Sequence, residues 1–346
     1  MQRINKLDGL RGLFAIFVVL FHLNINNAPF YLVNNFFVRA SYVFVDFFFI
    51  LSGYVISLTY NQSILNGKQF VYFIKKRFIR LYPLLLCSTF MYWYFVHPIF
   101  NKHNLLLALD TLFLTNSTPI LGSDIGMNYP SWSISSEMIS YIVFATCSIV
   151  AIQKRKTILI GIITLACFSI LAYQQNYFQT GYLGFVRGLA CFNLGYFVYV
   201  LAKYKYTLPN SLEFIMTTFI IGLMYVYHTA TLQKTSSIFL IQLLIPICFA
   251  TYIWVLIKTN GILSKMLQTK PFLFLGKISY SVYLNQALVI GYSIPKLYRW
   301  ISFTNGDAKK TLCIFLLLIL LVIYSWATQF LIETRLGKKI ASILKS

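Results

Sequence analysis

Two stretches of the chain, Ser237–Ile257 and Leu312–Ile332, run for 21 residues each without a charged side chain. An α-helix of about 20 apolar residues spans the ~30 Å hydrocarbon core of a bilayer, and such runs have no comfortable place in a small soluble fold. They are not isolated. Only 11% of the 346 residues are charged, whereas a soluble domain carries about 25%. Hydrophobic residues make up 58%, with 32 Phe and 25 Tyr set in long apolar runs. This pattern excludes a soluble enzyme and a disordered chain. The formal net charge of +21 invites a nucleic-acid reading, but the aromatic runs need lipid as solvent rather than a basic groove, so no nucleic-acid partner is expected.

Ten spans are predicted: Leu10–Ile25, Val43–Tyr60, Leu81–Phe100, Met138–Ile152, Thr157–Tyr173, Tyr182–Leu201, Phe214–Tyr227, Ser237–Ile257, Ile278–Ile294 and Leu312–Ile332. Leu105–Leu114 is too short to cross and reads as re-entrant or interfacial. Cytoplasmic segments concentrate Lys and Arg. With the N-terminus inside, 21 of the 29 basic residues fall on the inner side, in clusters such as 75–80, 154–156 and 335–339. The expected fold is therefore all-α and polytopic, with about ten transmembrane helices and both termini cytoplasmic. Most of the basic charge is a topology signal.

The N-terminal run Leu13–Phe21 is followed by His22-Leu-Asn-Ile-Asn-Asn, which lacks the small residues of a cleavage site. A retained first helix is expected. The six cysteines lie inside predicted spans with no CxxC or Cys/His pairing, so they read as packing residues and no metal is expected. One membrane domain over 1–346 is expected.

Ionisable groups in spans are costly and therefore candidates for function. Arg11 and His22 are eleven residues apart, three turns plus about 20°, so they share a helix face about 16 Å apart along the axis. Asp8 lies on the same face. Two readings fit: a stripe leading from a cytoplasmic Arg to a His deep in the membrane, or an interfacial Arg and a snorkelling His. Asp46, among Phe and Val at the start of the second span, needs a cation or a proton, and His22 at comparable depth is the expected partner. An interfacial Asp stabilised by the helix dipole is the plainer alternative. Arg77 and Arg80 are one turn apart in Lys75-Lys-Arg-Phe-Ile-Arg-Leu-Tyr-Pro83. Two guanidinium forks suit phosphate groups, and the same residues also suit the positive-inside rule. Ser131-Trp132-Ser133-Ile-Ser-Ser-Glu137 is either a helix cap or a sugar-binding lip with a carboxylate behind it.

Together these pieces resemble the acyltransferase-3 family of integral-membrane O-acyltransferases. The blocks come in the family's order. They are Leu7-Asp-Gly-Leu-Arg11-Gly12 followed by His22, with ten residues between Arg11 and His22, and Val45-Asp46-Phe-Phe-Phe-Ile-Leu-Ser52-Gly53-Tyr54. Next come Arg77-Phe-Ile-Arg80-Leu-Tyr-Pro83, Trp132-Ser-Ile-Ser-Ser-Glu137 and Gly276-Lys-Ile-Ser279-Tyr280-Ser-Val-Tyr283-Leu284. Arg187-Gly188 through Gly195 fits a weaker sixth. The resemblance covers positions 7 to about 335. There are departures: Asn285-Gln286 stands where the family commonly has an apolar residue and His, and Glu333-Thr-Arg335 replaces Glu-x-Pro. Many relatives also carry an extracytoplasmic hydrolase-like domain, and a membrane-only member is expected here.

The resemblance implies an acyl-CoA donor, most often acetyl-CoA, and a carbohydrate hydroxyl as acceptor, such as a surface polysaccharide or lipid-linked glycan. It implies a multi-pass protein of a bacterial cytoplasmic membrane in contact with its lipid. CoA phosphates are expected at Arg77, Arg80 and Arg11, with the pantetheine arm running up the Arg11–His22 stripe. His22 is the expected general base, oriented by Asp46, with a covalent acetyl-His step left open. Glu137 is the expected second acid/base or acceptor ligand, facing outward. Trp132, Ser133, Tyr280 and Tyr283 are the expected substrate-binding set. The competing class is a proton-coupled solute carrier or glycan flippase, which would show two matching halves with broken helices. No such repeat is visible in the sequence.

Overall fold

In a computed structural model the described residues are 4–24, 26–122, 125–151, 153–233, 238–301 and 306–343. The predicted span edges Ile25, Ile152 and Ser237 lie outside them. The described chain is helical throughout, in the order α1 (Asn5–Phe21), α2 (Phe30–Val33), α3 (Phe36–Arg39), α4 (Phe44–Tyr60), α5 (Gly67–Val96), α6 (Lys102–Leu112), α7 (Trp132–Val150) and α8 (Gln153–Gln174). It continues with α9 (Gly184–Ala202), α10 (Ser211–Gln233), α11 (Ile238–Lys258), α12 (Ile262–Leu267), α13 (Lys270–Trp300), α14 (Asp307–Thr328) and α15 (Gly337–Ile343). A π-helical segment, Gln329–Leu336, joins α14 to α15.

Among the described residues, eight helical stretches are long and apolar enough to cross a membrane. They coincide with eight of the ten predicted spans. The other two predictions are helices that fall short of that standard. Helix α1 is only 17 residues long, and α5 carries Lys68, Lys75, Lys76, Arg77 and Arg80 in its first half. Of that basic set on α5 only Arg77 is buried. The short Leu105–Leu114 segment forms α6, capped by the Asn101 side chain accepting from the Asn104 N–H at 2.8 Å.

The helices sort into two shells. Only 22% of the apolar window of α8 or α10 is buried within the protein, against 72% for α13 and 67% for α4 and α9. Helices α4, α7, α9 and α13, with α1 and α5, therefore form the inner set, and α8, α10, α11 and α14 present broad apolar faces outward. Lipid offers no hydrophobic drive for helix association, so close packing must hold the inner set together. Glycine makes that approach attainable at two crossings. A Cβ on Gly53 of α4 would stand 1.9 Å from the Phe192 carbonyl oxygen of α9, and one on Gly12 of α1 would stand 2.4 Å from the Gly276 nitrogen of α13. Beside them an aromatic core fills the space, with Phe14 stacked on Phe44 at 3.8 Å and edge-on to Phe47 at 4.9 Å.

Candidate functional site

The inner helices enclose a cleft with a cavity volume of about 130 Å³. Arg11 comes from α1, Phe48 and Ser52 from α4, Arg80 from α5, Ser133, Glu137 and Tyr141 from α7, and Ser279, Tyr280 and Tyr283 from α13. Six of the residues singled out in the sequence (Arg11, Arg80, Ser133, Glu137, Tyr280 and Tyr283) thus meet in one place, from helices far apart in the chain.

Several polar groups in the cleft are anchored. The Arg11 guanidinium donates to the Gly276 carbonyl at 2.9 Å and lies 3.6 Å from Asp8, one turn below it. Tyr280 donates its hydroxyl to the Leu81 carbonyl of α5 at 2.7 Å. Glu137 accepts from the Ser52 hydroxyl and from Tyr141 at 2.5 Å, both on Oε1. That leaves Oε2 as the oxygen open to a ligand. Glu137, expected to face outward, shares its cleft with Arg11 and Arg80.

Arg77 departs from expectation. Only 8% exposed, it donates to the Tyr60 hydroxyl at 2.9 Å and lies over the rings of Tyr60 and Phe73. Three residues rotate a helix by about 300°, and the phenol of Tyr60 captures one guanidinium while Arg80, one turn on, reaches the cleft. The expected two-fork phosphate site is therefore split, with Arg80 alone on the cleft wall from that pair.

Asp46 departs further. Its carboxylate is fully buried and is held by Arg187 of α9, whose Nε donates to Oδ1 at 2.6 Å, while Tyr177 donates to Oδ2 at 3.1 Å. The partner is thus a guanidinium 141 residues away rather than the His22 imidazole. The physical reason is the Gly53 crossing, which seats α4 against α9 so that the Asp46 face looks toward Arg187. Trp132 belongs to the same buried cluster. At 6% exposure it packs edge-on against Phe49, and the Arg187 guanidinium sits 5.6 Å over its ring. It is a wall of the ion-pair chamber and not an exposed lip.

His22 caps the C-terminal end of α1 outside the lining of the cleft. Its Nδ1 is 2.8 Å from the Val18 carbonyl. A carbonyl only accepts, so Nδ1 carries the proton and a neutral ring has its lone pair on Nε2. Tyr129 lies alongside with ring centroids 4.8 Å apart. Tyr283, which lines the cleft, lies near Tyr129 in turn.

The sequence reading passed over Tyr177 and gave Arg187 no role. An Arg inside the apolar Tyr182–Leu201 run, with Tyr177 just before it, was the available signal, because a buried cation in such a run needs a carboxylate. Outside the spans, Asp110 of α6 organises the following loop. Burial alone would raise its carboxyl, but hydrogen bonds from Thr115 and from the backbone N–H groups of Ile120, Leu121 and Gly122 prevail and hold it below the usual carboxylate range.

Comparison with known proteins now bears on the whole arrangement. The acyltransferase-3 family model, described as an acyltransferase domain, matches residues 4–329. Among curated proteins, the chain is 30% identical over 183 residues to "Protein 2 in picA locus" of Rhizobium radiobacter, covering 46% of this chain and 91% of that protein. It is 27% identical over 227 residues to the "Putative membrane-bound transacylase BcsY" of Komagataeibacter xylinus, covering 61% of this chain and 54% of that one. It is 36% identical over 109 residues to the "Peptidoglycan O-acetyltransferase OatA" of Listeria monocytogenes, covering 29% of this chain but only 15% of that one. No solved structure matches. The ordered blocks, the helices that carry them and the match over 4–329 agree: this chain belongs to the acyltransferase-3 family and is a multi-pass membrane acyltransferase.

Proposed function

We propose that this protein takes an acetyl group from cytoplasmic acetyl-CoA and transfers it to a carbohydrate hydroxyl on the extracytoplasmic side of a bacterial cytoplasmic membrane. The observation that carries the reading is one cleft holding Arg11, Arg80, Glu137 and Tyr280, with a histidine about 16 Å further along the same helix as Arg11. Guanidinium groups suit the phosphates of CoA, and the narrow pantetheine arm suits the apolar wall between Arg80 and Tyr283. A glycan acceptor is in keeping with OatA, a peptidoglycan O-acetyltransferase to which part of the chain is similar.

In this reading His22 Nε2 takes the proton of the acceptor hydroxyl. The acceptor oxygen bonds to the thioester carbonyl carbon, the C–S bond breaks, and CoA leaves as thiolate. The imidazolium then returns the proton to sulfur, so free CoA and neutral His22 are regenerated. Because Nδ1–H is fixed on Val18, the ring is held in the tautomer that this step needs. Glu137, through Oε2, binds or relays protons within the cleft, and Ser133 and Tyr283 line the way to the histidine. The buried Asp46–Arg187 pair holds α4 against α9 and is scaffold.

The test is release of CoA and labelled acetate or ester from radiolabelled acetyl-CoA by purified protein in nanodiscs. Wild type should turn over acetyl-CoA, and folded His22→Ala should lose that turnover. Absence of turnover in both, or equal turnover in both, would overturn the reading.

A further inference from the structure

Three residues beyond Tyr283, α13 carries Gln286, which is completely buried. Neither its amide nitrogen nor its amide oxygen meets a partner at full hydrogen-bond geometry, the nearest polar neighbour being the His22 ring. Native structures rarely leave a whole primary amide unfilled in a buried place, because the group has given up water and gained nothing in return. Such an amide calls for a polar partner.

The neighbourhood supplies one. Gln286 lies against the imidazole of His22, whose Nδ1–H is taken up by Val18, so Nε2 is the nitrogen left to act. The two side chains sit on α1 and α13, which are locked together where Gly12 meets Gly276. Their relation is therefore set by rigid helices rather than by a loop. Around the ring the other neighbours are Phe21 and Tyr129, with centroids 5.2 Å and 4.8 Å away. Among the described residues, Tyr129 is the titratable group at the ring and no charged side chain stands against it. Asp46, the carboxylate that a catalytic histidine would ordinarily use, is committed to Arg187.

We propose that Gln286 is a further catalytic residue, completing with His22 a two-point clamp on the acceptor hydroxyl. The Gln286 amide N–H donates to the acceptor oxygen while His22 Nε2 accepts the hydroxyl proton. A hydroxyl is both donor and acceptor, so one such group can donate to His22 Nε2 and accept from the Gln286 amide at once. The choice of an amide also has a consequence. A carboxylate in this position would favour the imidazolium, whereas a neutral amide orders the hydroxyl without adding charge and leaves the ring a free base. The transfer itself proceeds as in the acyl-transfer reading, on which this role rests, with water able to replace the sugar hydroxyl in a slow hydrolysis.

The experiment pairs a titration with kinetics. Protein in nanodiscs, labelled with ¹⁵N-histidine, contains four histidines, and His22 is assigned by difference from His22→Gln. Gln286→Glu should raise the His22 titration midpoint by about one unit or more. Gln286→Leu should lower kcat for acetyl-CoA cleavage, with water as acceptor, about tenfold, the loss of one hydrogen bond to the reacting group, with KM for acetyl-CoA unchanged. Size-exclusion profiles and melting curves establish that both variants are folded, and Gln286→Asn serves as the conservative alternative if Leu does not fold. A His22 midpoint unmoved by Gln286→Glu overturns the proposed pairing. A wild-type kcat in Gln286→Leu, or an equal rise in KM for acetyl-CoA, overturns the role in the reaction. Failure of the wild type to cleave acetyl-CoA would instead strike the acyl-transfer reading, while the titration reports independently on the pair.

Discussion

Asp46 offers the sharpest separation between a structural and a catalytic carboxylate. In the structure it is fully buried, its Oδ1 is 2.6 Å from Arg187 Nε, and Arg187 is only 2% exposed. The guanidinium is further held over the ring of Phe178 at 4.5 Å. Replacing one member by a neutral isostere leaves the other charge buried without compensation, which costs about 3–5 kcal/mol. Asp46→Asn and Arg187→Met should each lose stability of that order. The double variant should recover part of it, with a coupling of about 2 kcal/mol or more, because neither charge then remains alone. The measurement is reversible SDS titration in mixed micelles, followed by tryptophan fluorescence, to which Trp132 beside Arg187 contributes directly. The acid limb of the acetyl-CoA cleavage profile should be unmoved in any Asp46→Asn protein that remains folded. An Asp46→Asn protein as stable as wild type, with that limb displaced, would refute the reasoning and return Asp46 to His22.

Other consequences follow from the same geometry. Arg80→Ala should raise KM for acetyl-CoA about tenfold or more, as expected for a lost charge-assisted phosphate contact, whereas Arg77→Ala should act mainly on stability through Tyr60 and Phe73; paired kinetics and melting curves separate the two. Gly53→Leu should prevent folding, because even the first added carbon would overlap the Phe192 carbonyl, and the check is loss of monodisperse protein on size exclusion. Asp110 has a lowered carboxyl, so its contribution is complete above about pH 5 and is lost as pH falls below about 4 through the folded-state value. Asp110→Asn should remove that acid-sensitive component, about 1–3 kcal/mol for a carboxylate with several donors, and flatten the dependence of melting temperature on pH between about 3 and 5.

How much was readable beforehand varies by residue. Arg11, Arg80, Glu137, Tyr280 and Tyr283 were identified from motifs, and the cleft gathers them. The partner of Asp46 was not identified, because the nearest polar group in the first two spans is His22 whereas the true cation comes from a helix that begins at Gly184. In the sequence Trp132 follows a predicted loop, which leaves its segment open between a helix cap and a sugar-binding lip. Three-dimensional packing turned it inward beneath a buried arginine, for which an indole face is a good neighbour. Gln286 stood out in the sequence only as a residue where a histidine is usual; its meaning depends on lying buried beside the His22 ring.

The sequence by itself determined that this protein is a helical membrane protein and which family's motifs it carries, because these depend on local length, apolarity and residue order. Only the tertiary structure decided which charges neutralise one another and which are left for chemistry. Lipid does not stabilise an unpaired charge, so every buried ion must find its partner among helices brought together in space. The contacts that bring them together, Gly53 against Phe192 and Gly12 against Gly276, bridge positions far apart along the chain.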